Sequence, residues 1–177
     1  NIRKALKLAE TVQPAILWID EVDKALAGST GEQGDGGVSS DALGAILTWM
    51  QERTANVFVV ATANDVRGLP PELLRKGRFD EVFWVDLPNT RERADVLAVS
   101  LKQFGRDPKT VNLSAVAAAT DNFTGAEIAA LVPDAMYAAF SDDARAITTE
   151  DLVNAAKQVT PLAKTQGDKI RDLREWA

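Results

Sequence analysis

An unbroken apolar run, Ala15-Ile16-Leu17-Trp18-Ile19, ends directly in two adjacent carboxylates, Asp20 and Glu21. A strand that is apolar on both faces belongs inside a parallel sheet covered on both sides, and in such sheets functional groups emerge at the carboxyl ends of the strands. The run therefore predicts an α/β fold and places Asp20 where ligands bind. A first carboxylate at that edge can hold Mg²⁺ directly or through its bound water. The second, uncommitted to metal, can orient and polarise a water for attack on a phosphate. The same residues also suit a plain solvated helix start, where Asp20, Glu21 and Asp23 favour the positive end of the helix dipole.

Spacing separates the two readings. A second apolar run, Val57-Phe58-Val59-Val60-Ala61, ends in Thr62-Ala63-Asn64-Asp65, so Asn64 follows Asp20 by 44 residues with one helical segment between them. A crossover of that length allows the two strands to lie side by side in parallel. Asn64 could then share a water with Glu21, or it could be an ordinary Asx turn after a strand. Beyond it, Leu73-Leu74-Arg75-Lys76-Gly77-Arg78-Phe79-Asp80 carries two arginines around a glycine. Their planar, permanently charged forks match phosphate oxygens and can stabilise charge in a phosphoryl-transfer transition state. The plainer alternatives are surface charges, or a local ion pair between Arg78 and Asp80.

Together these segments resemble the AAA ATPases, specifically the AAA-proper clade with its second region of homology. Ile16 to Glu21 resembles the Walker B strand, Asn64 sensor 1, and Arg75 with Arg78 the paired arginine fingers. Asp121-Asn122-Phe123-Thr124-Gly125-Ala126-Glu127-Ile128 is similar to the sensor 2 segment that opens a lid helix, with Gly125 and Ala126 as the small residues that let backbone approach a nucleotide. The Leu69–Phe79 segment, Thr48-Trp49-Met50-Gln51-Glu52 and the ending Lys169 to Ala177 resemble an uncharacterised AAA subfamily of cyanobacteria, other bacteria and algal plastids. The resemblance implies ATP and Mg²⁺ as cofactors, with Asp20 on the metal directly or through water and Glu21, Asn64, Arg75 and Arg78 as catalytic groups. It also implies assembly with copies of itself in a ring, a hexamer in this family, so that each site is completed by a neighbour's arginines, and remodelling of a protein client. Two other readings are a nucleotide-independent AAA-like scaffold and, less well matched, a DNA-directed relative.

No Gly-x-x-x-x-Gly-Lys-Ser/Thr loop occurs in the chain, so the backbone cradle and lysine that grip nucleotide phosphates are absent from it. Gly28 to Gly37 is glycine-rich but has no lysine and follows the wrong strand; it reads as a mobile loop facing the ring's pore. The family's strand order puts the phosphate-loop strand between the Val57 strand and a third strand expected near Val82 to Val85. The expected fold is thus an incomplete P-loop-type parallel sheet over residues 1–88, the C-terminal part of the large α/β subdomain, followed by an all-helical lid with a C-terminal tail over 89–177. The chain reads as a fragment of a longer protein.

Composition narrows the chemistry further. With 20 Lys and Arg against 26 Asp and Glu the net charge is −6, which disfavours a nucleic-acid backbone binder. The absence of Cys and His excludes disulfides, thiolates, imidazole bases and most zinc sites. No apolar stretch approaches the roughly 20 residues that span a membrane, and the default location is cytoplasmic. Helices are expected to Thr11 and over 40–53, 91–104, 113–120, 125–140 and 149–159. Thr90, Ser114, Thr124 and Thr148 or Thr149 are the candidate N-caps, and Glu127 completes a capping box with Thr124. Pro133 should kink its helix near 129–133. The stripe Leu152, Ala155, Ala156 and Val159 reads as lid core. Trp176 and the tail would pack either on a neighbouring subunit or on the chain's own lid.

Overall fold

Ala15–Ile19 (β1) and Val57–Ala61 (β2) pair in parallel, with Ala15 opposite Val57 and Ile19 opposite Ala61. The computed structural model describes residues 2–26, 36–52, 54–75 and 77–177, which fall into two units, Asn1–Phe83 and Trp84–Ala177. In the first unit Ile2–Thr11 (α1), Val22–Leu26 (α2) and Gly36–Glu52 (α3) accompany the strand pair. Their core is Leu6, Val22, Ile46, Met50 and Leu73, against which Leu17, Ile19 and Ala61 of the sheet are packed. The glycine-rich segment read as a mobile pore-facing loop falls largely on residues 28–35, outside the described residues; Gly36 and Gly37 open α3.

Among the described residues the core packs against one face of the sheet. Along β1 burial alternates, and Ile16 and Trp18 are 72% and 64% exposed, with Phe58, the register partner of Ile16, at 68%. The sequence expectation of an apolar strand enclosed on both sides is met on the Leu17 and Ile19 face and not on the other. The third strand expected near Val82 to Val85 does not form: residues 81–89 have no regular secondary structure, and Val82, Phe83 and Val85 are exposed. An isolated strand has no ladder partner to satisfy its backbone, and among the described residues none lies beside this one.

The second unit is all helical: Thr90–Gln103 (α4), Leu113–Ala119 (α5), Gly125–Ser141 (α6), Thr149–Gln158 (α7), Leu162–Thr165 (α8) and Gly167–Trp176 (α9). Leu97, Leu101, Val116, Phe123, Ile128, Leu131, Val132 and Leu152 centre its core, and the Leu152 stripe lies there as expected. Two of the expected caps are displaced. Asn89, not Thr90, caps α4 and forms a capping box with Glu92, and Asn112, not Ser114, caps α5. In each case a preceding asparagine in extended conformation supplies a better-placed acceptor than the hydroxyl after it. Thr124 with Glu127 and Thr148 with Asp151 cap α6 and α7. Helix α6 runs through Pro133.

Three polar ties organise this unit. Arg93, buried on α4, donates to the carbonyls of Ala117 and Pro88 at 3.0 Å each and to the Thr90 hydroxyl at 3.2 Å, with Asp121 at 3.5 Å. Glu127 joins its cap to the tail by accepting from the Leu162 N–H at 2.7 Å. Arg174 of α9 forks onto Asp86 at 2.8–3.0 Å, so the tail is held by the segment that leads into α4.

Arg93→Met should destabilise the protein by about 2–3 kcal/mol in urea denaturation, because the buried Ala117 carbonyl and the partly buried Pro88 carbonyl lose their donor. Acid should act through Asp151 and Asp86. Asp151 accepts from Arg145 at 2.6 and 2.9 Å and from both Thr148 donors, and the Arg145 hydrogen bonds hold it well below the usual carboxylate range; Arg174 lowers Asp86 in the same sense. Carboxylates depressed in the folded state add stability that is complete above their unfolded value of about 4 and is lost as pH falls below it. The unfolding temperature should therefore hold from pH 7 to about 5 and decline below about 4, with a shallower decline in Asp151→Asn.

Candidate functional site

The parallel register decides which side chains meet beyond the strand ends. Because Ile19 lies opposite Ala61, the next residues, Asp20 and Thr62, face each other at the carboxyl edge. Thr62 N–H donates to the Ile19 carbonyl at 3.0 Å and its carbonyl accepts from Val22 N–H at 2.9 Å, so its backbone straddles the Asp20-Glu21 pair. The Thr62 hydroxyl donates to Asp20 Oδ1 and accepts from the Glu21 N–H at 3.0 Å. Glu21 sits at φ +50°, the left-handed region that non-glycine residues rarely occupy. Strain of this kind persists only where surrounding contacts impose it, and it concentrates at functional sites.

Glu21 is held on one oxygen. Its Oε1 accepts from Asn64 Nδ2 at 3.2 Å and from Lys24 Nζ at 2.5 Å, and among the described residues its Oε2 has no hydrogen bond. The Glu21 hydrogen bond, followed by its charge, raises the Lys24 ammonium above its ordinary value. A second strap joins the two loops where the Asp65 N–H donates to Asp23 Oδ2 at 3.2 Å, while Asp23 Oδ1 is buried with no hydrogen-bond partner among the described residues. Asp65 also accepts from the Arg67 backbone and guanidinium, an Asx turn that closes the loop after Asn64.

The structure thus brings together Asp20, Glu21 and Asn64 of the expected site residues. Arg75 and Arg78 lie in the same unit and do not join them. Arg75 is exposed, and Arg78 turns back to donate to the Glu72 carbonyl rather than pairing with Asp80, across Gly77 at φ +89°. Gly125 and Ala126 open α6 in the other unit. Beyond its chain neighbours and its helix's own backbone, no atom of the described residues lies within 4 Å of a Cβ built on Gly125, so packing within this unit does not require glycine there. Sequence reading passed over Thr62 and Lys24. The register could have found Thr62, since it occupies the position after β2 that Asp20 occupies after β1; Lys24 lies three residues beyond Glu21, the spacing at which helical side chains meet.

Asp20 fits a hard cation by donor chemistry. Thr62 occupies its Oδ1, and its Oδ2 carries no hydrogen bond among the described residues. Mg²⁺ keeps waters and uses one or two carboxylates together with substrate phosphates, a demand that a single carboxylate such as Asp20 can meet. A concavity of about 580 Å³ in the same unit lies at the opposite, amino ends of the strands. It is lined by Pro14 to Ile16 and Thr54 to Phe58, none of them ionisable.

Comparison with known proteins gives this arrangement its context. Residues 1–87 match the model of the ATPase family associated with various cellular activities (AAA), and residues 110–154 match the AAA+ lid domain. The chain is similar to the uncharacterized AAA domain-containing protein ycf46 of Guillardia theta, 44% identical over 178 residues, covering 100% of this chain and 35% of that protein. It is also similar to the proteasome-activating nucleotidase of Aeropyrum pernix, 32% identical over 171 residues, 94% of this chain and 41% of that protein. The ATP-dependent zinc metalloprotease FtsH 2 of Sphaerobacter thermophilus is 37% identical over 181 residues, 100% of this chain and 26% of that protein. The chain spans about a third of the length of the curated relatives it matches. With an ATPase-domain match over the strand-bearing unit and a lid match within the helical one, the chain belongs to the AAA ATPase family.

Proposed function

We propose that this chain supplies the Walker B, sensor 1, arginine-finger and lid parts of a cytoplasmic, ring-forming ATPase that hydrolyses Mg²⁺-ATP to remodel a protein client. The observation that carries the reading is the state of Glu21: Oε1 is fixed by Asn64 and Lys24 while, among the described residues, neither its Oε2 nor Oδ2 of the adjacent Asp20 carries a hydrogen bond. In this reading residues 1–88 form the C-terminal part of the large subdomain and residues 89–177 form the lid with its tail. The phosphate-gripping loop lies elsewhere in a longer polypeptide, in keeping with the greater length of the relatives. The names of two of those relatives, a nucleotidase and an ATP-dependent protease, support nucleotide chemistry. Among the described residues no helix is long and apolar enough to cross a membrane.

Glu21 takes the proton of the attacking water on Oε2, and Asn64 keeps the carboxylate aimed. Asp20 would hold Mg²⁺ through Oδ2, which carries no hydrogen bond among the described residues, or through bound water, and the ion would supply charge neutralisation for the phosphates. Gly125 and Ala126 leave room for close backbone approach to the nucleotide. Arg75 and Arg78 serve the site of an adjacent copy, in a hexamer by family resemblance, which agrees with their lack of any bond to Asp20, Glu21 or Asn64 among the described residues. In an assembled ring Arg78 would exchange the Glu72 carbonyl for a phosphate oxygen, a charge-assisted bond stronger than the one it leaves.

In the full-length protein Glu21→Gln should keep ATP binding and lower turnover at least about 100-fold, the contribution of a general base; turnover at the parental rate would remove Glu21 from that role. Arg78→Ala should also suppress hydrolysis, and mixing it with subunits that retain Arg78 but carry Glu21→Gln should restore activity above that of either variant alone. Absence of nucleotide binding in the full-length protein would favour the scaffold reading.

A further inference from the structure

We infer that Thr62 is the positioning residue of this site, setting the rotation of the Asp20 carboxylate toward a divalent cation and fixing the backbone that presents Glu21. The inference rests on the proposed roles of Asp20 and Glu21. A threonine hydroxyl has one proton to donate and lone pairs to accept with. Here the proton goes to Asp20 Oδ1 and a lone pair receives the Glu21 N–H at 3.0 Å. One neutral group thereby orients two functional residues without adding charge beside the cation. Fixing Oδ1 also fixes where Oδ2 lies, and Oδ2 is the oxygen that carries no hydrogen bond among the described residues.

Thr62 is itself held at both ends of its peptide unit, by its N–H to Ile19 and its carbonyl to Val22. Its branched Cβ restricts χ1, so the hydroxyl has a defined direction. Glu21, at φ +50°, depends on that direction most, because its N–H in this uncommon conformation has Thr62 as its acceptor. Groups that hydrogen-bond a metal ligand from behind typically change metal affinity or activity by 10–100-fold when removed. Lys24 and Asn64 do not duplicate this role: both reach Glu21 at the far end of its side chain, and neither bonds Asp20.

The test uses the full-length protein with Mn²⁺ as the cation probe in the presence of ADP, titrated by electron paramagnetic resonance, together with ATP turnover and unfolding temperature. Thr62→Val, close in size but without the hydroxyl, should weaken Mn²⁺ binding by about 10–100-fold. It should lower kcat by a similar factor, while KM for ATP changes much less. Thr62→Ser should recover Mn²⁺ affinity to within a few-fold of the parent. Thr62→Cys keeps the size with a weaker donor, so it reads the same property should Thr62→Val unfold early, and it should fall between valine and serine. Parental Mn²⁺ affinity in a folded Thr62→Val or Thr62→Cys protein would overturn the inference. Asp20→Asn is the control: loss of Mn²⁺ binding there with none in the Thr62 variants refutes the role of Thr62 alone. Unchanged binding in Asp20→Asn removes the cation role from Asp20, and the inference falls with it.

Discussion

The parallel register of β1 and β2 is the constraint on which the chemistry of the first unit depends. A ladder in which Ile19 faces Ala61 leaves Asp20 and Thr62 as the first residues past the sheet on adjacent strands, and the backbone bonds of Thr62 to Ile19 and Val22 carry the ladder one step further. A slip of one residue would turn Leu17 and Ile19 away from the helices and separate Thr62 from the carboxylates at once. Burial and site geometry therefore select the same register. The apolar contacts of Leu17, Ile19 and Ala61 with α1, α2 and α3 are what hold Glu21 within reach of Asn64.

What was legible in the sequence was what local pattern controls. The apolar runs, the break into carboxylates, the helical stripes and the Thr124 and Thr148 caps rest on side-chain periodicity and short-range hydrogen bonding, and the structure places them where the pattern does. The third strand was misread because Glu81 to Val85 has strand composition, while strand formation requires a neighbour that composition does not reveal. The caps at Asn89 and Asn112 were missed because a hydroxyl nearer the helix looked sufficient, and the choice turns on the extended backbone before it. Thr62 and Lys24 escaped notice because their roles exist only across the strand pair and along the turn after it. Sequence distance hides the first, and familiarity with helix-surface lysines hides the second.

The two units differ in how far their own residues complete them. The helical unit buries a continuous core from α4 to α7, ties its entry through Arg93 and closes its tail through Arg174 and Asp86. The strand-bearing unit packs Leu6, Val22, Ile46, Met50 and Leu73 against one side of a sheet whose other side exposes Ile16, Trp18 and Phe58, and Val82 and Phe83 at the end of the unit are exposed as well. Burying one such side chain is worth about 1.5–3 kcal/mol, which is a large fraction of the stability of an ordinary domain. A unit in this condition gains more from a partner surface or a bound ligand than a lid that is already closed around its core. Ligation at the carboxyl edge of β1 and β2 would draw on the same two strands as that incomplete core, so occupancy of the site and stability of the unit are linked through mass action. The helical unit, with its interior already satisfied, can act as a body whose internal structure does not depend on that occupancy.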